Sequence, residues 1–141
     1  MADDVGAFDV FPENIRSKLA PLRQLVLSVA ASNPAIGPLA ESLKWGEPSF
    51  TPLKKGVGSS VRIATRKDGM VALNFICHTG LVDRFREIYR ETLVFEGNRT
   101  IVVDLSRQLP EPELRHCVAM ALTYFMQRWP PKLFPVAPNV M

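Results

Sequence analysis

VRIATRKDGMVALNF, residues 61–75, holds two runs of alternating side chains around a short polar break, and its reading decides the fold. Val61, Ile63 and Thr65 form one alternating set, and Val71, Leu73 and Phe75 form another. The two sets can share one face of a hairpin only if the loop between the strands has an odd number of residues. Lys67-Asp68-Gly69 supplies such a loop, with Gly69 in the left-handed conformation that three-residue connections favour. The resulting register pairs Val61 with Phe75 and Ile63 with Leu73, and it sets Arg62 opposite Asn74 on the other face. Continued alternation carries Ser60 and His78 to that same polar side.

Outward from this hairpin the chain reads as helices and strands in succession. Ile15, Leu19, Leu22, Val26 and Val29 recur at helical spacing after Pro12, which suits a first helical turn, and Pro21 predicts a kink or break midway. A short helix is expected over Leu39 to Leu43. Leu81, Val82, Phe85, Ile88 and Tyr89 stripe a further helix whose remaining surface is charged. TLVFE and RTIVVDL read as a second hairpin turning at Gly97-Asn98; both its faces are apolar, which places it inside the sheet with cover on both sides. From Pro110 to Trp129, Leu114, Cys117, Val118, Ala121, Leu122 and Phe125 mark the last helix, ending at Pro130-Pro131. The order predicts an α+β fold: an antiparallel sheet built from two hairpins, with helices packed mainly on one face.

With 141 residues, 47% of them hydrophobic and 22% charged, the chain can build one core without disulfide staples. The expected organisation is an N-terminal extension over 1–11, a single domain over 12–129 and a Pro-rich tail over 130–141. Leu133, Phe134 and Val136 in the tail are apolar enough to dock on the body or on a second copy, which makes a homodimer a candidate assembly. The opening residues lack the pattern of a secretory signal, and no run approaches the length of a membrane span, so a cytoplasmic protein with no membrane partner is expected. A net charge of +3, with basic residues dispersed among 14 acids, argues against nucleic acid.

Several residue sets could carry chemistry. Cys77-His78 and His116-Cys117 offer a zinc-ligand inventory, but neighbours on a strand diverge and Cys117 falls in an apolar helix stripe, so both thiols are expected to be packed in the core. Asp83, Glu87 and Glu91 follow i, i+4, i+8 spacing and form an alternative metal set, interleaved with Arg84, Arg86 and Arg90. KKGVGSSVRI, residues 54–63, could bind an anion through backbone amides, yet a flexible turn entering a strand explains the same composition. No Gly-x-Ser-x-Gly elbow marks a nucleophile, no catalytic set stands out, and no cofactor is implied. KWGEPSF, residues 44–50, reads as a rigid corner, with Trp45 and Phe50 closing one end of the core and Lys44, Glu47 and Ser49 at its rim.

KWGEPSF, VRI, CHTGLVDRFREIY, FEGNRTIVVD and LPEPELRHCVAMALTYF occur in this order over residues 12–128. The set resembles the YdhG-like family, catalogued as domain of unknown function 1801. The resemblance implies a small bacterial α+β domain; that family has no established general reaction, and some of its members are described as frataxin-like iron chaperones. The leading expectation is a non-catalytic module that binds a small anionic molecule or a partner, with Lys44, Trp45, Arg62, Asn74 and His78 as its wall. A metal chaperone using Asp83, Glu87 and Glu91 is the alternative, and an uncharacterised enzyme the third.

Overall fold

The computed structural model describes Phe8 and residues 11–127. The rest of the N-terminal extension, the last residues expected in the final helix and the Pro-rich tail lie outside the described residues. The fold is α+β, with one six-stranded, wholly antiparallel sheet. Its strands are β1 (Leu39–Lys44), β2 (Glu47–Pro52), β3 (Val61–Thr65), β4 (Val71–Phe75), β5 (Val94–Glu96) and β6 (Thr100–Val103), ordered β1-β2-β3-β4-β6-β5. The helices are α1 (Glu13–Ala31), α2 (Leu81–Tyr89), α3 (Glu111–Leu122) and the single turn α4 (Tyr124–Gln127). No helix among the described residues is long and apolar enough to cross a membrane.

The central hairpin follows the alternation of its side chains. Val61 pairs with Phe75, Arg62 with Asn74 and Ile63 with Leu73. The Arg66 amide donates to the Met70 carbonyl across the three-residue loop, where Gly69 has φ 85°. Val61, Ile63, Val71, Leu73, Phe75 and Ile101 all turn to one side and are buried with Leu19, Leu22 and Val26 of α1, Phe85 of α2, and Leu114, Val118 and Leu122 of α3. Phe75 and Phe85 meet edge to face, with ring centroids 5.1 Å apart. Among the described residues, every long helix therefore packs on this face of the sheet.

Five local expectations need correction. Leu39–Leu43 is strand, not helix: β1 and β2 pair over their full lengths, and Lys44 opposite Glu47 leaves Trp45-Gly46 as a two-residue turn. Both turn residues have positive φ, 56° and 78°, the backbone that matches hairpin twist, so KWGEPSF is the tip of a third hairpin. Five residues alternating Leu, Ala, Glu, Ser, Leu fit either period, and a Trp-Gly turn lacks the Asn that normally announces this geometry. Pro21 leaves α1 unbroken, because it and Ser17, whose carbonyl it deprives of a donor, both lie on the exposed side of the helix. The β5–β6 connection is three residues long, since Glu96 pairs with Thr100. Only β6 is interior there; β5 is the edge of the sheet and its Val94 is 63% exposed.

The last helix stripe is correct through Leu122, where α3 ends at Thr123, and Phe125 beyond it is exposed. What meets the end of α3 is the loop from 53 to 60. The Ser59 amide donates to the Ala121 carbonyl at 2.8 Å, and the Phe125 amide donates to the Val57 carbonyl at 3.1 Å. A Cβ on Gly58 would lie 1.9 Å from the Leu122 carbonyl oxygen, so this backbone approach admits only glycine. The composition of KKGVGSSVRI thus has a packing cause: a loop laid directly on a helix terminus.

Candidate functional site

The face of the sheet turned away from the helices carries the candidate site. Pairing runs from Ser42 to Ser49, to Arg62, to Asn74, to Thr100 and to Glu96, one residue from each strand, and every side chain in this row points to the same side. β2 shows why: Pro48, Phe50 and Pro52 are buried toward the core, while Glu47, Ser49 and Thr51 alternate to the other side.

Arg62 is at the centre. Its side chain is 18% exposed, and its guanidinium makes no hydrogen bond to any described residue; the nearest acid is Glu47, with Nε and Oε1 3.8 Å apart. That separation permits attraction without a hydrogen bond. The same Glu47 oxygen accepts from the Asn74 amide nitrogen at 3.3 Å, and the Thr100 hydroxyl donates to the Asn74 carbonyl oxygen at 2.7 Å. Asn74 is thereby held from both ends, whereas Arg62 keeps its donors available. Ser49, directly opposite Arg62, is 1% exposed, and its hydroxyl has no partner among the described residues. On the other side of this row the Thr51 and Ser60 hydroxyls bond each other at 2.6 Å, so they are already satisfied.

Of the five residues expected to form one wall, the structure brings together Arg62 and Asn74. Trp45 is 89% exposed at the tip of the β1–β2 hairpin, not packed as a corner; Phe50, three places beyond Glu47, takes the core position alone. Lys44 is exposed beside that tip. His78 leaves the polar side because β4 stops at Phe75 and Cys77–Thr79 is a 3-10 turn. Carrying the β2–β3 pairing two places on sets Glu47 level with Ala64, about 10 Å of strand from the Val61–Phe75 end where His78 sits. Lys44 and Trp45 therefore stand at one end of the sheet and His78 at the other.

The same early end of β4 places Cys77 at the surface, which corrects its expected burial, while Cys117 is buried in the α3 stripe and unbridged. Burial pushes the Cys117 thiol up to about 12, and the nearby Glu113 carboxylate adds to the shift. His116 turns outward as expected and its Nδ1 lies 2.6 Å from the Tyr89 hydroxyl. Burial, followed by the charges of Cys117 and Glu113, raises the pKa of that phenol above its ordinary value.

The acidic set also separates. Asp83 contacts Arg86 at 3.4 Å, and Glu91 falls beyond the end of α2 at Tyr89, so the three acids do not share one helix. Among the described residues no group of three or more His, Cys, Asp or Glu side chains is placed to hold a metal ion.

Clefts occur elsewhere: one of about 610 Å³ where Lys18 of α1 donates to the Gly69 carbonyl beside Asp68, Asp104 and Ser106, and one of about 490 Å³ along β5, β6 and the loop from 104 to 110. In the first, Asp104 is held below the usual carboxylate range by the Ser106 hydroxyl and backbone amide. One of its oxygens thus holds a local turn, and the other faces Arg107 at 3.5 Å.

Glu47 and Ser49, read only as the rim of a corner, and Thr100 are the functional candidates that the expected wall omitted. The signal for two of them was present: E-P-S-F-T-P alternates polar and buried residues at period two. Without β2 recognised as a strand, that alternation had no sheet to refer to.

The fold and site define an antiparallel-sheet domain with helices on one face and a polar, arginine-centred surface on the other. Comparison with protein-family models, with curated proteins and with solved structures returns no match.

Proposed function

We propose that this chain is a non-catalytic, YdhG-like binding domain that holds a small anionic molecule on the helix-free face of its sheet, anchored by Arg62. One observation carries the reading: an arginine side chain about four-fifths covered by its surroundings whose guanidinium makes no hydrogen bond to any described residue. Positioning an arginine there restricts its rotamers, and leaving its planar donors unused forgoes the bonds that normally offset that cost. A carboxylate or phosphate would engage the donors in pairs. Asn74 serves as a fixed neighbour, since Glu47 and Thr100 hold both ends of its amide. Nothing in this arrangement supplies a nucleophile with a base, which is why binding rather than turnover is proposed.

The test is a thermal-shift and calorimetric screen of carboxylates and phosphates on the full chain. An anionic ligand should stabilise the protein, and Arg62→Ala should remove that stabilisation while changing the unfolding free energy by less than about 1 kcal/mol. Unchanged binding by the variant, or no stabilisation by any anion at millimolar concentration, would refute the assignment.

A further inference from the structure

The Arg62 surface carries both signs of charge, and this narrows the ligand. We infer that the molecule held there is a zwitterion with adjacent carboxylate and ammonium groups and an aliphatic side chain, in chemical class an α-amino acid. This rests on the anion-binding reading above and deepens it.

Arg62 and Glu47 lie 3.8 Å apart, close enough to neutralise each other but beyond hydrogen-bond range. Each retains capacity: the guanidinium makes no hydrogen bond, and of the two Glu47 oxygens only Oε1 accepts one, from Asn74. A lone phosphate drawn to Arg62 would meet the Glu47 carboxylate at the same place, and like charges in a partly covered site repel strongly. A zwitterion removes that conflict. Its carboxylate takes the Arg62 donors, its ammonium takes the free Glu47 oxygen, and no charge is left unpaired.

The adjoining row supplies the other half of the match. Ala64 pairs with Ala72, Ala72 with Val102 and Val102 with Val94, so an apolar strip runs beside the Arg62–Asn74–Thr100 row on the same face. Ala72 at its centre is 3% exposed, Ala64 and Val102 on either side of it are half-buried, and Val94 at its end is exposed, so the accessible apolar surface lies to the two sides of Ala72. An aliphatic side chain attached between the two charged groups can lie along this strip and remove apolar surface from water.

Leucine, N-acetyl-leucine, leucinamide and inorganic phosphate serve as calorimetric probes against the full chain, and methyl resonances of Ala64, Ala72 and Val102 report where the side chain lies. Leucine should bind, moving those methyls, and the two singly charged analogues should each bind at least about tenfold more weakly. Glu47→Gln, which keeps an acceptor for the Asn74 amide, should lower leucine affinity by about tenfold and raise that of N-acetyl-leucine, from whose carboxylate it removes a repelling charge; the methyl spectrum of the free variant verifies its fold. Should N-acetyl-leucine or phosphate match or exceed leucine while Arg62→Ala abolishes binding, the zwitterion inference is overturned and the anion site stands. Leucine binding that ignores Arg62→Ala, or no binding by any probe, overturns both.

Discussion

Phe75 and Asn74 are consecutive residues on β4, yet they belong to different surfaces. Phe75 points toward the helices, is almost wholly buried and meets Phe85; Asn74 points away and is tied to Glu47 and Thr100 by hydrogen bonds. The same division runs through β2, β3, β4 and β6. On the helix side, burial of branched and aromatic side chains supplies stability, which scales with apolar area and is indifferent to direction. On the opposite side, hydrogen bonds and charges set direction while adding little net stability, because each replaces a bond to water. One sheet thus separates holding the fold together from presenting a ligand surface.

Substitutions can break that contrast. The largest effect is expected for Phe75→Ala, about 3–5 kcal/mol of destabilisation in urea denaturation, from lost transfer energy plus the cavity left against Phe85. A loss below about 1 kcal/mol, comparable with that expected for Arg62→Ala, would show that the two faces are not energetically distinct.

Gly58→Ala comes next, at about 3 kcal/mol, since its new methyl must displace the Leu122 backbone rather than a pliable side chain. The same denaturation experiment checks it, and a neutral result would mean that the loop does not press on the end of α3.

A smaller effect is expected at Trp45. Exposed at a hairpin tip, it contributes little packing, so Trp45→Ala should change stability by less than about 0.5 kcal/mol. Trp45→Asn should raise it by about 0.5–1 kcal/mol, because asparagine accommodates the positive φ that this turn requires. A large loss in either variant would mean that the indole is packed.

The smallest effect concerns acid. Arg66 holds Glu96 through a 2.7 Å contact and also contacts Asp68, holding both carboxyls below their usual pKa and so favouring their charged forms. Carboxyls depressed in the folded state contribute stability above their unfolded values, near pH 4, and lose it as pH falls through the folded values. Arg66→Ala should therefore flatten slightly the decline in denaturation midpoint below pH 4 and leave its slope between pH 5 and 7 unchanged. A difference in slope confined to neutral pH would contradict the sign. The groups are exposed, so the change should be modest and reduced by salt.

The parts legible in the sequence are those in which the relevant residues lie close along the chain. The 61–75 hairpin, the stripe of α2 from Leu81 to Phe85 and that of α3 from Leu114 to Leu122 each follow from local period, and all are found. Leu39–Lys44 was misread because a few residues cannot distinguish period two from 3.6 when their partner strand has not been identified. His78 and Cys77 were misplaced for a related reason: alternation says which way a strand side chain points, but not where the strand stops, and the turn at Cys77–Thr79 ends it.

The candidate site divides along the same line. That Arg62 stands opposite Asn74 was determined by the sequence alone, because the three-residue loop Lys67-Asp68-Gly69, marked by its glycine, fixes the pairing of the two alternating runs that flank it. That Glu47 and Ser49 stand beside Arg62 was decided only in the tertiary structure. β2 reaches β3 through the eight-residue connection from 53 to 60, and its register depends on Phe50 entering the core opposite Val61 and on the loop settling against the end of α3. A short hairpin loop transmits register by itself. A long connection leaves it to packing, and packing placed the acid next to the arginine.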